Sequence, residues 1–329
     1  ISQEVPYIKS ESLEPSDSIV GYGIYNTSGK LHFYDGKIEG TTKAVYNTIT
    51  EIEENTELNY NEDETVLTLS TEKLPVAQIG DVTYTDLQEA INSVTEEETI
   101  IKIIRNITYT MNDVVITIPN TKNIKLDLNG YKIVSSIPEQ VIQNEGILEI
   151  IDTSESQEGM ITSSEEKTIN NINEAKLTIS EGTIENRTKY TIYNEGETII
   201  KGGTISSSGS SGSGIYNSGE GIVTIEGGTV RDSGSSGSGI YNNSTGTVTI
   251  EEATISSNSY GIYNNNTGTI TIEGGTISSS GSSGSGIYNN NTGTVIVKRG
   301  TVESIINSSY SNSYGIYNYS TGNIIIGIK

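Results

Sequence analysis

The carboxylates of the repeated half of this chain are the first residues that could do chemistry. Asp232, Glu226, Glu251, Glu252, Glu273 and Glu303 stand there, with Lys201, Arg231, Lys298 and Arg299 as cations; His32, the only histidine, lies far upstream. Inverting glycoside hydrolysis needs two carboxyls roughly 6.5–9.5 Å apart, with a positive group close by. Elimination needs a base and a cation, commonly calcium held by several carboxylates. Here the acids come mostly one per turn, inside a repeated phrase. Glu251-Glu252 and Arg231-Asp232 fall in turns, where solvated charge is the ordinary reading. Calcium-binding nonapeptides require Gly-Gly-x-Gly-x-Asp, but in this chain Gly-Gly leads straight into Thr-Ile or Thr-Val. No catalytic residue, cofactor site or metal site is therefore expected.

A column of tyrosines is the second candidate: Tyr193, Tyr216, Tyr241, Tyr263, Tyr288 and Tyr317. Tyrosine offers an apolar ring with a polar tip, so a column of them could form an interaction stripe for sugars or proteins. It could equally be a stacking ladder that stiffens the protein. Rings about 5 Å apart would cover one another's faces, whereas sugar stacking needs a free face; the spacing favours the ladder.

These tyrosines belong to a stamp, Gly-Ile-Tyr-Asn, at 214–217, 239–242, 261–264, 286–289 and 315–318, with near-copies at 23–26, 44–47 and 191–194. A second phrase follows, such as Thr-Ile-Thr-Ile-Glu-Gly-Gly-Thr-Ile at 269–277. A fixed phrase order at a short period means one unit stacked on itself. The last stamp residue falls at Asn144, Asn171, Asn194, Asn217, Asn242, Asn264, Asn289 and Asn318, at spacings of 22 to 29 residues. Each period holds three short β runs separated by turn residues. The expected fold is all-β: a right-handed, single-stranded parallel β-helix with coils of about 21–29 residues and a short N-terminal capping helix.

Repetition also tells which side chains face inward. The second stamp position is always aliphatic: Ile24, Val45, Ile142, Ile169, Ile192, Ile215, Ile240, Ile262, Ile287 and Ile316. The third is mostly Tyr but becomes Gln143 and Asn170, so it points outward, and the Asn points in again. Stacked about 4.8 Å apart, those amides would bond to each other and to turn backbone as a structural Asn ladder. By the same phase, Val248, Ile250, Ile270, Ile272, Val295 and Val297 are buried from the second strand. The third strand buries Ile205, Val230, Ile255, Ile277 and Val302. Gly- and Ser-rich insertions sit just before the stamp, at 206–213, 232–238 and 278–285, where a turn can lengthen without disturbing the stack.

Composition agrees with a thin core. Of 329 residues only 33% are hydrophobic; there are 36 Gly, no Trp and no Cys. Lack of cysteine removes disulfides and thiolate metal sites and suits bacterial surface proteins, although many cytosolic proteins lack it too. The net charge of −23 argues against nucleic acid and anionic lipid as partners. No run approaches the roughly 20 apolar residues of a membrane span. The chain begins at Ile1, with no signal peptide, and reads as a portion of something longer.

Residues 1–75 read as the closing coils and acidic tail of one module, and 76–329 as a second, with a capping helix near 85–94 and repeat coils over about 140–329. Thr85 is the expected N-cap, with Gln88 as its capping-box partner. About ten coils would span roughly 50 Å. The stretch from Val76 through 85–91 to Lys125-Leu126-Asp127-Leu128-Asn129-Gly130 resembles the opening of adhesin-like, pectate-lyase-type β-helix modules of clostridial (Firmicutes) cell-surface proteins. The stamp and the Glu-Gly-Gly-Thr phrases resemble their coils, and 33–38 followed by 49–53 resembles how they finish.

This resemblance implies a large, modular, extracellular protein of the bacterial surface. Its function is then expected to be non-catalytic: a structural or adhesive segment acting as a stiff stalk, spacer or filament element. The expected partners are further modules or copies of itself, surface glycans or host proteins. A carbohydrate-binding or polysaccharide-processing β-helix is the alternative, marked by carboxylates clustered with Arg or Lys on one exposed strand.

Overall fold

A computed structural model describes residues 74–95, 98–305 and 312–327, together with short strands between Tyr7 and Leu69. Contacts divide the chain into Ile1–Pro75 and Val76–Lys329. In the first unit, Tyr22–Tyr25 pairs in parallel with Lys43–Tyr46, setting Ile24 against Val45 and Tyr25 against Tyr46. His32–Phe33 pairs likewise with Glu51–Ile52. These are rungs of coil in the register that the stamp dictates. Leu58–Tyr60 and Val66–Leu69 then pair antiparallel, and the latter also lies antiparallel to Lys37–Glu39. From the sequence, that stretch is expected only to lose the coil pattern.

The second unit is an all-β parallel solenoid of about nine turns with three sheets, consistent with a right-handed β-helix. The expected count was about ten. One coil consists of Ser238–Asn243, Thr247–Ile250 and Thr254–Ser257, each strand pairing in parallel with its equivalent one coil earlier and one later. The stamp strands and the third strands build nine-stranded sheets. The second strands belong to a twelve-stranded sheet that also takes in the cap.

Side chains alternate as the period of two requires. Ile142, Ile169, Ile192, Ile215, Ile240, Ile262 and Ile287 are fully buried in one column, with Val248, Ile250 and Ile255 among those completing the other two. Ile316, Val297 and Val302 are only partly buried, on the last coils, where fewer layers lie over them. The doubled glycine of the repeated phrase has a backbone reason. Gly228 and Gly275 both sit at φ 79°, in the left-handed region that lets the chain turn into the third strand.

A stack of parallel strands needs its first layer covered. The helix Leu87–Ser93 does this by burying Leu87, Ala90 and Ile91. Its N-cap is Asp86 rather than Thr85, because the Asp86 carboxylate reaches the Glu89 amide at 2.9 Å and so satisfies an end donor. Gln88 is no capping-box partner either. Its amide pairs with both backbone groups of Thr117, accepting at 2.8 Å and donating at 3.0 Å, as a neighbouring strand would. A hairpin missed in the sequence completes the cap: Ala77–Ile79 and Val82–Tyr84 pair antiparallel around Gly80, and Ala77 and Gln78 pair with Ile103 and Lys102.

Candidate functional site

The inward Asn column forms an unbroken amide ladder. Nδ2 of each Asn donates to Oδ1 of the next, from Asn144 through Asn171, Asn194, Asn217, Asn242, Asn264 and Asn289 to Asn318, at 2.7–2.9 Å. The second N–H goes to turn backbone: Asn217 to Gly221, Asn242 to Gly246, Asn264 to Gly268 and Asn289 to Gly293, at 2.7–2.9 Å. With both donors used, the buried amides carry no desolvation debt. These glycines are part of the device. A Cβ at Gly246 would lie 2.4 Å from Asn217 Nδ2, and one at Gly268 2.2 Å from Asn242 Nδ2. A second, outer ladder escaped the sequence reading. Asn290 donates to Asn265 and Asn265 to Asn243, each at 3.0 Å.

The tyrosine column stacks on the outside of the same strands. Ring centroids lie 5.1, 5.1, 4.7 and 4.9 Å apart from Tyr193 through Tyr216, Tyr241 and Tyr263 to Tyr288, with planes within 23° of parallel. Tyr317 meets Tyr288 edge-on, at 5.2 Å and 61°. The Lys167 ammonium sits 4.6 Å from the first ring, Tyr193, as a cation–π lid. Burial, reinforced by the neighbouring Tyr263, Tyr216 and Tyr190, pushes the Tyr241 hydroxyl up to about 12. Three further rings join the column from strand starts: Tyr190, 4.6 Å from Tyr216, Tyr260, 5.0 Å from Tyr288, and Tyr314, 4.9 Å from Tyr317. Each stands three residues before a column tyrosine in the pattern Tyr-x-Ile-Tyr, which was the available signal.

The fold brings three of the candidate acids into one turn column and buries another. Glu226, Glu251 and Glu273 take the same turn position on successive coils, their amides bonding to Ile200, Ile225 and Ile250. Lys298 follows one coil on and pairs with Glu273 at 2.7 Å. Asp232 points inward and is almost fully buried, in line with Ser207 and Ser257 of the adjacent coils. Burial pushes its carboxyl up to about 6, tempered by Ser207, Gly234 and Ser257. Those groups lie near without making an aligned bond, because the Ser207 and Ser257 hydroxyls donate to the Lys189 and Gly237 carbonyls. Asp152 is the contrast. Burial raises it, but bonds from Ser154, Gly159 and Gly130 outweigh that and hold it below the usual carboxylate range. His32 lies outside the residues whose side chains are described.

Fold and ladders together define a parallel β-solenoid whose polar interior is a stack of asparagine amides. Comparison with family models, with characterised proteins and with solved structures finds no match. Among the described residues, no helix is long and apolar enough to cross a membrane.

Proposed function

We propose that this chain is a non-catalytic, stiff spacer segment of a larger modular protein on the bacterial surface. One observation carries the reading: the amide ladder runs without a break from Asn144 to Asn318, in parallel with three backbone ladders. Hydrogen bonds strung along the coil axis make bending cost many bonds at once, which suits a stalk or filament element. The stacked Glu226, Glu251 and Glu273 repeat one turn position between Lys201 and Lys298, with Glu273 paired to Lys298, and Asp232 is buried. We read this as a structural charge column rather than a hydrolytic pair. The extracellular side is proposed from the resemblance of the repeated coils to surface-protein modules. Neighbouring modules, copies of the same chain, glycans or host proteins are the partners such a stalk would meet.

Protease shaving of intact producing cells, followed by immunodetection of this chain, tests the location. Loss of the signal while a cytosolic protein survives is the expected result. Protection of the chain until lysis would refute a surface role.

A further inference from the structure

Register places Tyr190, Ser213, Ser238 and Tyr260 one above another at the start of successive stamp strands. At these four coils the residue type goes with the preceding turn, although Tyr314 occupies the same register after the longer stretch 305–313. Short turns, 187–189 and 258–259, precede the tyrosines, and longer Gly/Ser turns, 208–212 and 233–237, precede the serines. Two small residues are thereby held between two rings that are three coils, or roughly 14 Å, apart. A groove of about 360 Å³ results. Tyr190 and Tyr260 wall its ends, Tyr216 and Tyr241 flank it, and Ser213 and Ser238 floor it.

The lining is all Tyr, Ser and Gly, without a charged side chain, on a chain whose net charge is −23. Such a surface selects a neutral ligand. It offers ring faces for apolar C–H patches, and the hydroxyls of Tyr and of the exposed Ser211 and Ser236 for hydrogen bonds. The column tyrosines cover one another, but Tyr260 does not share that limit. Among the described residues its ring neighbours are Tyr263 on its own coil and Tyr288 on the next, so the side turned to the groove carries no ring. Tyr190 leans over Ser213 onto Tyr216, so the buried Gly237 and Ser238 form the floor on the Tyr260 side, with the exposed Ser236 beside them. Because Tyr241 stays protonated far above neutrality, its hydroxyl remains a donor at every physiological pH.

We propose that this groove is a binding site for a neutral saccharide, with a sugar ring lying against Tyr260 over Ser238. The site stands independently of the spacer role.

Calorimetric titration of the full chain with maltohexaose, cellohexaose, laminarihexaose and N-acetylchitohexaose tests it, with hexagalacturonate as the charged counterpart. Ser238→Tyr fills the groove and Tyr260→Ser removes a wall. Each substitution installs a residue the repeat already uses at this register, so the coil should keep its fold. At least one neutral hexasaccharide should bind, more tightly than hexagalacturonate, and each variant should weaken it at least tenfold with an unchanged melting temperature. If one variant melts lower than the parent chain, the other variant decides. The site is overturned by any of three results: no neutral hexasaccharide binds, hexagalacturonate binds as tightly, or binding survives either well-folded variant within twofold.

Discussion

Asn217 donates from Nδ2 to Asn242 Oδ1 at 2.8 Å while its other N–H meets the Gly221 carbonyl at 2.7 Å, and both amides are fully buried. Removing one such side chain strands an acceptor on one neighbour and a donor on the other. Asn242→Ala should therefore cost about 1–3 kcal/mol. Asn318→Ala should cost far less, since that residue is exposed. Chemical denaturation of the two variants compares them; equal losses would mean that the ladder contributes little. Gly246→Ala should mimic the interior loss by pushing on Asn217 from 2.4 Å.

Asp232 should make stability fall as pH rises. Its folded value of about 6 lies above the ordinary 3.8, so the folded state holds the proton more tightly. The benefit is complete below about pH 4 and lost as pH rises through about 6. Asp232→Ser, which copies Ser207 and Ser257 of the same column, should raise the stability at pH 8 by about 1–2 kcal/mol after discounting for solvent screening. At pH 4 the gain should vanish. A gain of equal size at both pH values would mean that the carboxylate charge is not the cause.

The tyrosine stack should show itself in alkali. With Tyr241 at about 12, its folded form stays neutral where an unfolded tyrosine ionises near 10, so that contribution to stability is lost between about pH 10 and 12. Absorbance titration should find a class of tyrosines ionising late, reduced in Tyr241→Ser. That variant should also lose about 0.5–1.5 kcal/mol of ring–ring stabilisation. Ionisation of all tyrosines together near pH 10 would contradict the stack.

Gln88 ties the cap to the first stamp strand through both backbone groups of Thr117. Gln88→Ala should leave a part-buried amide unpaired and cost about 1–2 kcal/mol. Hydrogen exchange at the Thr117 amide should quicken before exchange deeper in the stack. Unchanged protection at Thr117 would show that the cap is held by Leu87 and Ile91 alone.

The inward columns were legible because copies within one chain act as their own comparison. A site that reads Ile nine times and Val once faces a core, and one that accepts Tyr, Gln143 and Asn170 does not. The Asn ladder followed from the same counting. The cap was less legible: Asp86 and Thr85 are both good N-caps, and only the depth at which Leu87 must be buried chooses between them. The Ala77–Tyr84 hairpin gave one weak sign, Gly80-Asp81 between two short β runs. Tyr190 and Tyr260 stand in gap-free register just before the stamp, but Ser213, Ser238 and Ser285 alternate with them there, so no column of rings is evident, and the groove they enclose depends on which coils happen to be neighbours.

Pulling a single molecule of the full chain between handles at residues 76 and 327 tests the spacer most directly. A stack held by axial ladders should keep its length as force rises and then give way in steps of roughly 70–90 Å, one coil at a time. Asn242→Ala should lower the force of the steps near its own coil. Smooth, spring-like extension from the lowest forces, without steps, would contradict a stiff segment.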